Sequence, residues 1–291
     1  MDTDGSGTSP MDAWVTVLGM RIHCLVAGPG SWGTEASEAE SGDPPLVLVH
    51  GWSGAAADWA PLLGALPAGR RAIAVDLPGS GLSDKPDAAY DLPWFLDFLR
   101  AFCEAVRAPS ILLAGHSLGG MMAVHFAARF PAVVEKLILL DPYGMKGERG
   151  KYERLAHLGP VVRLAFLLNR RVFIERAIRL NVLYRRDPDL VRAATDSTAS
   201  SILGREGARA LARVTGRVVG RLHVDGLLPT LPQPTLLIWG ENDRLLAPGW
   251  ARAFSARLRR VTVQTVPGAG HMPMFEKPAE VAEKIEQFLA R

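Results

Sequence analysis

Ser117 carries the clearest chemical signal in the chain, because it stands at the centre of Gly-His-Ser-Leu-Gly, residues 115–119. The apolar run Ile111–Ala114 before it predicts a buried strand, and the small and apolar residues after it predict a helix. A serine on such a strand-to-helix elbow exposes its hydroxyl at the edge of the sheet, and the flanking glycines leave room for neighbouring elements. This context, rather than the short pattern alone, predicts a nucleophilic serine.

A serine hydroxyl is a weak nucleophile and needs a general base. Among the seven histidines we predict that His271 is this base. It follows the last predicted strand and precedes the last predicted helix, which places it at the same edge of the sheet as Ser117. His50 precedes a glycine-rich turn, and we expect it to have a structural hydrogen-bonding role.

The imidazole of a general base is usually oriented by a carboxylate. Asp243, in Gly-Glu-Asn-Asp, follows a predicted strand and precedes His271, so the order serine, aspartate, histidine is the one expected for a serine elbow. Asp141 directly follows another predicted strand and is the competing candidate. Glu241 lies inside the turn and is not favoured.

An oxyanion formed during attack needs two backbone N–H donors. We predict that Leu118, the residue after the serine, supplies one of them. The second is expected from the loop His50-Gly-Trp-Ser-Gly54, where Trp52 is our choice.

The elements that must position these residues alternate along the chain, which favours an α/β fold with a doubly wound, mostly parallel sheet. The predicted strands are Leu46–Val49, Ala72–Val75, Ile111–Ala114, Leu137–Leu140, Leu236–Trp239 and Val261–Val266. The predicted helices are Asp58–Leu66, Pro93–Val106, Leu118–Arg129, Gly249–Leu258 and Pro278–Leu289.

Residues 145–228 interrupt this alternation, since they contain helix-like stretches and no convincing strand. We therefore expect one α/β domain made of residues 13–144 and 229–291, with residues 145–228 inserted as a helical cap. Residues 1–12 are expected to be a flexible leader. Their acidic and small polar residues stand where a signal peptide would have a basic flank and an apolar stretch.

The composition is that of an ordinary globular protein, with 48% hydrophobic and 22% charged residues. It excludes a disordered chain, a collagen and a disulfide scaffold, and no apolar run approaches the roughly 18–20 residues of a spanning helix. Only two cysteines, Cys24 and Cys103, are present, so a reducing cytoplasmic location is the expectation.

Taken together, five segments resemble the α/β-hydrolase superfamily, in register from about Trp14 to Leu289. They are His50-Gly51, Asp76-Leu-Pro-Gly-Ser-Gly-Leu-Ser83, Gly-His-Ser-Leu-Gly-Gly120, Gly-Glu-Asn-Asp243 and Gly-His271. The resemblance implies a serine–histidine–aspartate hydrolase, similar to esterases and lipases, whose inserted cap covers the site. Relatives with an aspartate nucleophile are disfavoured, because Ser117 occupies the elbow.

The net charge of +3 is the sum of two regions of opposite charge. Residues 146–228 contain 17 Lys and Arg against 8 Asp and Glu, a net charge of +9, whereas the remainder has 16 against 22, a net charge of −6. Arginines recur every four residues and predict one basic stripe on a helix: Arg205, Arg209, Arg213, Arg217 and Arg221.

The basic residues of this insertion have two interpretations. The favoured one is a basic helix face exposed to solvent, and the more specific one is peripheral contact with an anionic membrane. Nucleic acid is not expected, because the stripe lacks interleaved aromatic residues.

The predicted reaction is hydrolysis of a carboxylic ester through an acyl-enzyme, with a hydrophobic acyl or alcohol group in a small-molecule substrate. We expect no cofactor and no metal. Three alternatives stay open: a carbon–carbon bond hydrolase using the same three residues, a cofactor-free perhydrolase or haloperoxidase, and a ligand-binding receptor with vestigial catalysis.

Overall fold

An eight-stranded sheet forms the centre of the computed structural model, which describes residues 9–29, 43–147 and 171–291. The strands are β1 (Met11–Val17), β2 (Met20–Ala27), β3 (Leu46–Val49), β4 (Ala72–Val75), β5 (Ile111–His116), β6 (Val134–Leu140), β7 (Thr235–Gly240) and β8 (Val261–Val266). Their spatial order is β1-β2-β4-β3-β5-β6-β7-β8. Strands β3 to β8 are parallel, and β1 and β2 extend the sheet antiparallel to its neighbours. The predicted doubly wound, mostly parallel sheet is therefore confirmed.

Both faces of the parallel part are buried, which explains why its strands are continuously apolar. In β3, Val47 and Val49 belong to the apolar core on one side of the sheet. Leu46 and Leu48 belong to the core on the other side. This alternation follows from the two-residue period of a strand. Helices cover both faces, so the functional residues are carried where strands end at the rim of the sheet.

The described helices include one close to each of the five predicted segments. They are α1 (Ala60–Ala65), α2 (Leu92–Ala105), α3 (Leu118–Arg129), α4 (Arg171–Ala177), α5 (Pro188–Ile202), α6 (Arg205–Arg217), α7 (Trp250–Ser255), α8 (Pro273–Glu276) and α9 (Pro278–Leu289). Single turns of 3₁₀ helix precede α1, at Ala56–Trp59, and lie at Leu228–Thr230. None of the helices in the described part of the chain is long and apolar enough to cross a membrane.

Strand β1 differs from the predicted flexible leader, because it begins at Met11, inside residues 1–12. Met11 pairs with Val26, and Asp12 pairs with Leu25. The Asp12 carboxylate also lies 2.8 Å from Nε2 of His23 on β2. A polar residue that indicated a leader in the sequence thus belongs to a hairpin at the edge of the sheet.

Between β6 and β7 the described residues form helices and no strand, with a π-helical turn at Ile178–Val182 linking α4 to the residues before α5. The boundaries 145 and 228 stay predictions. Residues 148–170 of the predicted cap lie outside the described residues. The predicted arginine stripe is wrong at one end, because α6 ends at Arg217 and Arg221 lies in the turn that follows. We call α4, the π turn, α5 and α6 the insertion helices.

Candidate active site

Ser117 lies between β5 and α3 with φ 53° and ψ −119°, a backbone conformation that non-glycine residues rarely adopt. The turn is this sharp because the elements around it pack closely. A Cβ atom at Gly115 would overlap the carbonyl oxygen of Gly119, and one at Gly119 would overlap the carbonyl oxygens of Val49 and His50. Both positions therefore require glycine, as the sequence pattern predicts.

The structure brings Ser117, His271 and Asp243 into one hydrogen-bonded row. Nε2 of His271 lies 3.0 Å from Oγ of Ser117, and its Nδ1 lies 2.7 Å from Oδ2 of Asp243. His271 is on the loop between β8 and α8, and Asp243 follows β7. All three residues are buried, with exposures of 2–6%. This geometry allows the imidazole to accept a proton from the serine while the carboxylate stabilises the resulting positive charge.

Asp141, the competing acid, lies behind Asp243 and makes no hydrogen bond to His271 within the described residues. It directly follows β6, is completely buried, and accepts a hydrogen bond at 2.9 Å from the backbone N–H of Gly240. Burial, and next the negative charge of Asp243, raise the pKa of Asp141 well above its ordinary value. The geometry therefore favours Asp243 over Asp141 as the partner of the imidazole. Glu241 is exposed in the turn.

A group of one histidine and two carboxylates could in principle bind a metal ion. Single ligand atoms of Asp141, Asp243 and His271 lie within 4.8 Å of one another. Both ring nitrogens of His271 are already within hydrogen-bond distance of Asp243 and Ser117. The arrangement thus suits proton transfer, and the expected lack of a metal or organic cofactor stays a prediction.

The loop after β3 approaches the serine closely. A Cβ atom at Gly51 would lie 3.1 Å from Cβ of Ser117, so only glycine leaves ordinary space there. Trp52 and Leu118 line a small pocket, partly open to solvent, together with Ser117, Tyr143 and Val219. This placement is compatible with two backbone N–H donors beside the reacting carbonyl, and the assignment of Trp52 and Leu118 as these donors stays a prediction.

Two further histidines support the site structurally. Nδ1–H of His50 donates to the carbonyl oxygen of Gly51 at 2.9 Å, and its Nε2 accepts from the N–H of Leu77 at 3.2 Å. The expected structural role of His50 is therefore observed. Nε2–H of His116 donates to the backbone carbonyl of His271 at 2.6 Å. Burial lowers the pKa of both imidazoles, so they act as neutral hydrogen-bonding groups.

The His271 loop is also hydrogen-bonded to the residues after α4. The backbone N–H of His271 donates to the carbonyl oxygen of Val182 at 2.8 Å. Glu276, at the end of α8, accepts at 2.7–2.8 Å from the amides of Gly270, Tyr184 and Arg185. Burial raises the pKa of Glu276, whereas the hydrogen bonds from these three amides lower it, and the effect of burial is the larger one. Sequence reasoning missed Glu276, whose only signal is an acidic residue five positions after His271.

The insertion helices α5 and α6 bind the loop that carries Trp52. Nε1–H of Trp52 donates to Oγ1 of Thr215 at 2.9 Å. Oγ of Ser201 donates to the carbonyl oxygen of Gly54 at 2.6 Å and accepts from the N–H of Gly81. One helical turn earlier, Oγ of Ser197 donates to the buried carboxylate of Asp58 at 2.6 Å. Sequence reasoning missed these contacts, because hydroxyl residues on a helix carry no signal for a particular distant partner.

Two arginines of the basic stripe on α6 bind other residues of the protein. Arg213 forms an ion pair with Asp87 and donates to the carbonyl oxygen of Ala88 at 2.8 Å. Arg217 donates to the carbonyl oxygen of Ala89 at 2.5 Å. The stripe is therefore not a purely solvated face, since two of its arginines attach α6 to the segment before α2.

A second pocket, partly open to solvent, lies between the insertion helices and the core and shares Trp52 and Leu118 with the smaller one. Most of its wall is apolar: Leu77, Phe95, Met122, Ile202, Leu211 and Val214 all contribute. An apolar wall of this kind, which continues from Leu118 beside the serine, is a surface that can contact an apolar group of a substrate.

Comparison with known proteins agrees with this architecture. Pimeloyl-[acyl-carrier protein] methyl ester esterase of Stenotrophomonas maltophilia is 28% identical over 249 residues, 85% of this chain and 93% of that protein. The sn-1-specific diacylglycerol lipase ABHD11 of Mus musculus is 27% identical over 268 residues, 85% of this chain and 81% of that protein. The crystal structure of a membrane phospholipase A, a bacterial virulence factor, is 27% identical and superposes with a TM-score of 0.79 over 97% of this chain and 86% of that chain. Residues 46–284 match the alpha/beta hydrolase family, and the chain belongs to this family.

Proposed function

We propose that the protein hydrolyses carboxylic esters by an acyl-enzyme mechanism with Ser117, His271 and Asp243 as its catalytic residues. The observation that carries the proposal is the position of His271, with Ser117 Oγ at 3.0 Å on one ring nitrogen and Asp243 Oδ2 at 2.7 Å on the other. Similarity to an esterase and two lipases supports ester bonds as the target.

In the first half-reaction, Oγ of Ser117 attacks the ester carbonyl carbon while Nε2 of His271 takes the hydroxyl proton. The carbonyl oxygen becomes negative and is stabilised by the proposed N–H donors of Trp52 and Leu118. The C–O bond of the ester then breaks, and His271 gives its proton to the departing alcohol. An acyl group is left on Ser117.

In the second half-reaction, His271 takes a proton from water, and the oxygen of that water attacks the acyl carbonyl. The bond between the acyl carbon and Oγ breaks, and the proton on His271 returns to Ser117. The products are a carboxylic acid and an alcohol, and both the residues and the charge of the site are restored.

The substrate is proposed to have a hydrophobic acyl or alcohol group that contacts the apolar wall of the larger pocket beside Trp52 and Leu118. The insertion helices would form a cap over this group, which their hydrogen bonds to the Trp52 loop and the His271 loop support. Cys24 and Cys103 are free and buried. The cytoplasm, where thiols stay reduced, is proposed as the location.

Replacement of the nucleophile tests the proposal. Ser117→Ala removes the attacking oxygen and is expected to lower kcat by about 10⁴–10⁶-fold on p-nitrophenyl esters, measured from acetate to palmitate. Ser255→Ala is a matched control, because Ser255 ends α7 away from the site and its hydroxyl donates to the carbonyl oxygen of Arg252 in that helix. A folded Ser117→Ala variant with unchanged turnover would contradict the mechanism.

A further inference from the structure

Helix α4 and the π turn after it expose large apolar side chains on one face. Val172 is 71% exposed, Phe173 is 55% exposed and Leu180 is 44% exposed. The opposite face is used for packing, since Ile174 and Ile178, one helical turn apart, are buried in the core. The exposed apolar residues are therefore not needed to hold the helix in place.

Basic side chains accompany these apolar residues. Residues 171–186 contain five arginines and one acidic residue, Glu175. Arg176 is exposed and lies on the same helix face as Val172 and Phe173, since the three residues fall within about 100° at 3.6 residues per turn. Within the described part of the chain Arg176 has no ion pair, whereas Arg179 pairs with Glu175 at 3.3 Å. This face thus combines apolar and positively charged groups.

The arginines of α6 are a poorer candidate for an external partner. Arg213 and Arg217 are bound to residues 87–89 of the same chain. Because these two guanidinium groups already form hydrogen bonds and an ion pair within the protein, they are less able to bind another molecule. Arg205 and Arg209 of the same helix are exposed, but α6 exposes no large apolar side chain. Among the described insertion helices, exposed large apolar residues therefore accompany exposed arginines on α4 and the π turn and not on α6.

We propose that Val172, Phe173, Arg176 and Leu180, here named the α4 surface, dock on an anionic lipid bilayer. Apolar side chains on such a helix enter the boundary between headgroups and acyl chains, while arginines bind the anionic headgroups. Tyr184, which is 42% exposed, follows the surface and is an aromatic residue of the kind enriched at membrane interfaces. An acidic protein would satisfy the charges, but it would not by itself explain three large apolar residues exposed beside them.

The α4 surface is adjacent in sequence to residues that hold the His271 loop. Val182, two residues after Leu180, accepts the hydrogen bond from the N–H of His271. The amides of Tyr184 and Arg185 are bound by Glu276. Docking through α4 would therefore place the bilayer close to the loop that carries His271. The docking proposal does not depend on the proposed ester hydrolysis, because binding is measured without turnover.

Sedimentation with vesicles tests the α4 surface. The full chain is mixed with sucrose-loaded vesicles of phosphatidylcholine alone or of phosphatidylcholine with phosphatidylglycerol, at low and at physiological salt. We expect sedimentation with the phosphatidylglycerol vesicles that weakens as salt rises. Arg176→Gln should lower the partition coefficient about fivefold on these vesicles. The double variant Val172→Ser with Phe173→Ser should lower it about tenfold or more.

Leu18→Ser is the matched control, because Leu18 is 66% exposed in the turn between β1 and β2. It should sediment like the unchanged protein, and all variants should keep its thermal midpoint and its turnover of a soluble short-chain ester. Absence of sedimentation with anionic vesicles at low salt would overturn the proposal. A double variant that sediments normally would overturn it too, even if Arg176→Gln sediments less, because the attraction would then be electrostatic and would not use the apolar residues of the α4 surface.

Discussion

At the scale of single residues, two buried carboxyl groups a few ångströms apart differ because their surroundings differ. Asp243 accepts hydrogen bonds from the amides of Leu245 and Leu246 at 2.7 and 2.9 Å and from His271 at 2.7 Å, and these donors stabilise a carboxylate. Asp141 accepts one from Gly240, and its second oxygen has no partner in the described residues. Burial, and next the charge of Asp243, raise the pKa of Asp141 and so favour its neutral form, and the carboxylate that lies against the His271 ring is that of Asp243.

A pair of isosteric substitutions tests this difference. Asp243→Asn should lower kcat by about 10⁴-fold, because an amide no longer stabilises the charged imidazole or fixes its tautomer. Asp141→Asn should change kcat less than about tenfold, since asparagine resembles a neutral acid and still accepts from Gly240. Steady-state hydrolysis of a p-nitrophenyl ester measures both. If Asp141→Asn were as damaging as Asp243→Asn, the assignment of the acid would be wrong.

At the scale of elements, the insertion helices are joined to the loops that carry the site by hydrogen bonds as well as by apolar packing. Ser201 on α5 is buried and bridges two such loops, through Gly54 after β3 and Gly81 after β4. Ser200, the preceding residue, is exposed, and among the described residues its hydroxyl donates only to the carbonyl oxygen of Ser197 in its own helix. Two adjacent serines therefore contribute very differently to the attachment of α5.

Truncation of these serines measures the attachment. Ser201→Ala leaves a buried carbonyl and a buried amide without a partner, so we expect the free energy of unfolding to fall by about 1–3 kcal/mol. Ser200→Ala should change it by less than about 0.5 kcal/mol, as for most surface substitutions. Urea denaturation followed by circular dichroism gives both values. Equal effects of the two substitutions would contradict the bridging role of Ser201.

At the scale of the whole molecule, stability is linked to pH through groups buried where the insertion meets the core. Burial raises the pKa of Asp58 to about 7, while hydrogen bonds from Ser197 and Ala55 act in the opposite direction. Between about pH 4 and pH 7 the folded protein therefore holds a proton that the unfolded chain releases. The contribution of Asp58 to the free energy of unfolding must fall as pH rises through this window.

Asp58→Asn removes the titrating group while keeping its shape. The free energy of unfolding of the unchanged protein minus that of the variant should decrease by up to about 1.4 kcal/mol per pH unit between about pH 4 and pH 7. Above this window the difference should level off. Urea denaturation at several pH values provides the measurement, and parallel stability curves for the two proteins would show that Asp58 does not titrate there.

Much of the fold and the candidate site could be predicted because their signals are local. The apolar runs predicted β3, β4 and β8 at their observed bounds, and the glycines around Ser117 predicted the elbow. Contacts between distant segments could not be predicted. The pair Ser197 and Asp58 is 139 residues apart, and Trp52 and Thr215 are 163 apart, so no periodic pattern joins them. For the same reason the sequence predicted the basic charge of α6 but not that Arg213 and Arg217 bind the core.

Ester hydrolysis by the proposed route requires Ser117 to form a covalent acyl intermediate. Incubation with a fluorophosphonate tests it directly, because a serine activated by a histidine displaces fluoride and keeps the phosphonyl group on Oγ. Intact mass spectrometry should show one adduct per chain, peptide mapping should place it on Ser117, and Ser117→Ala should stay unlabelled. A chain that is not labelled, or an adduct on Ser53 or Ser80 in the wall of the larger pocket, would contradict the account.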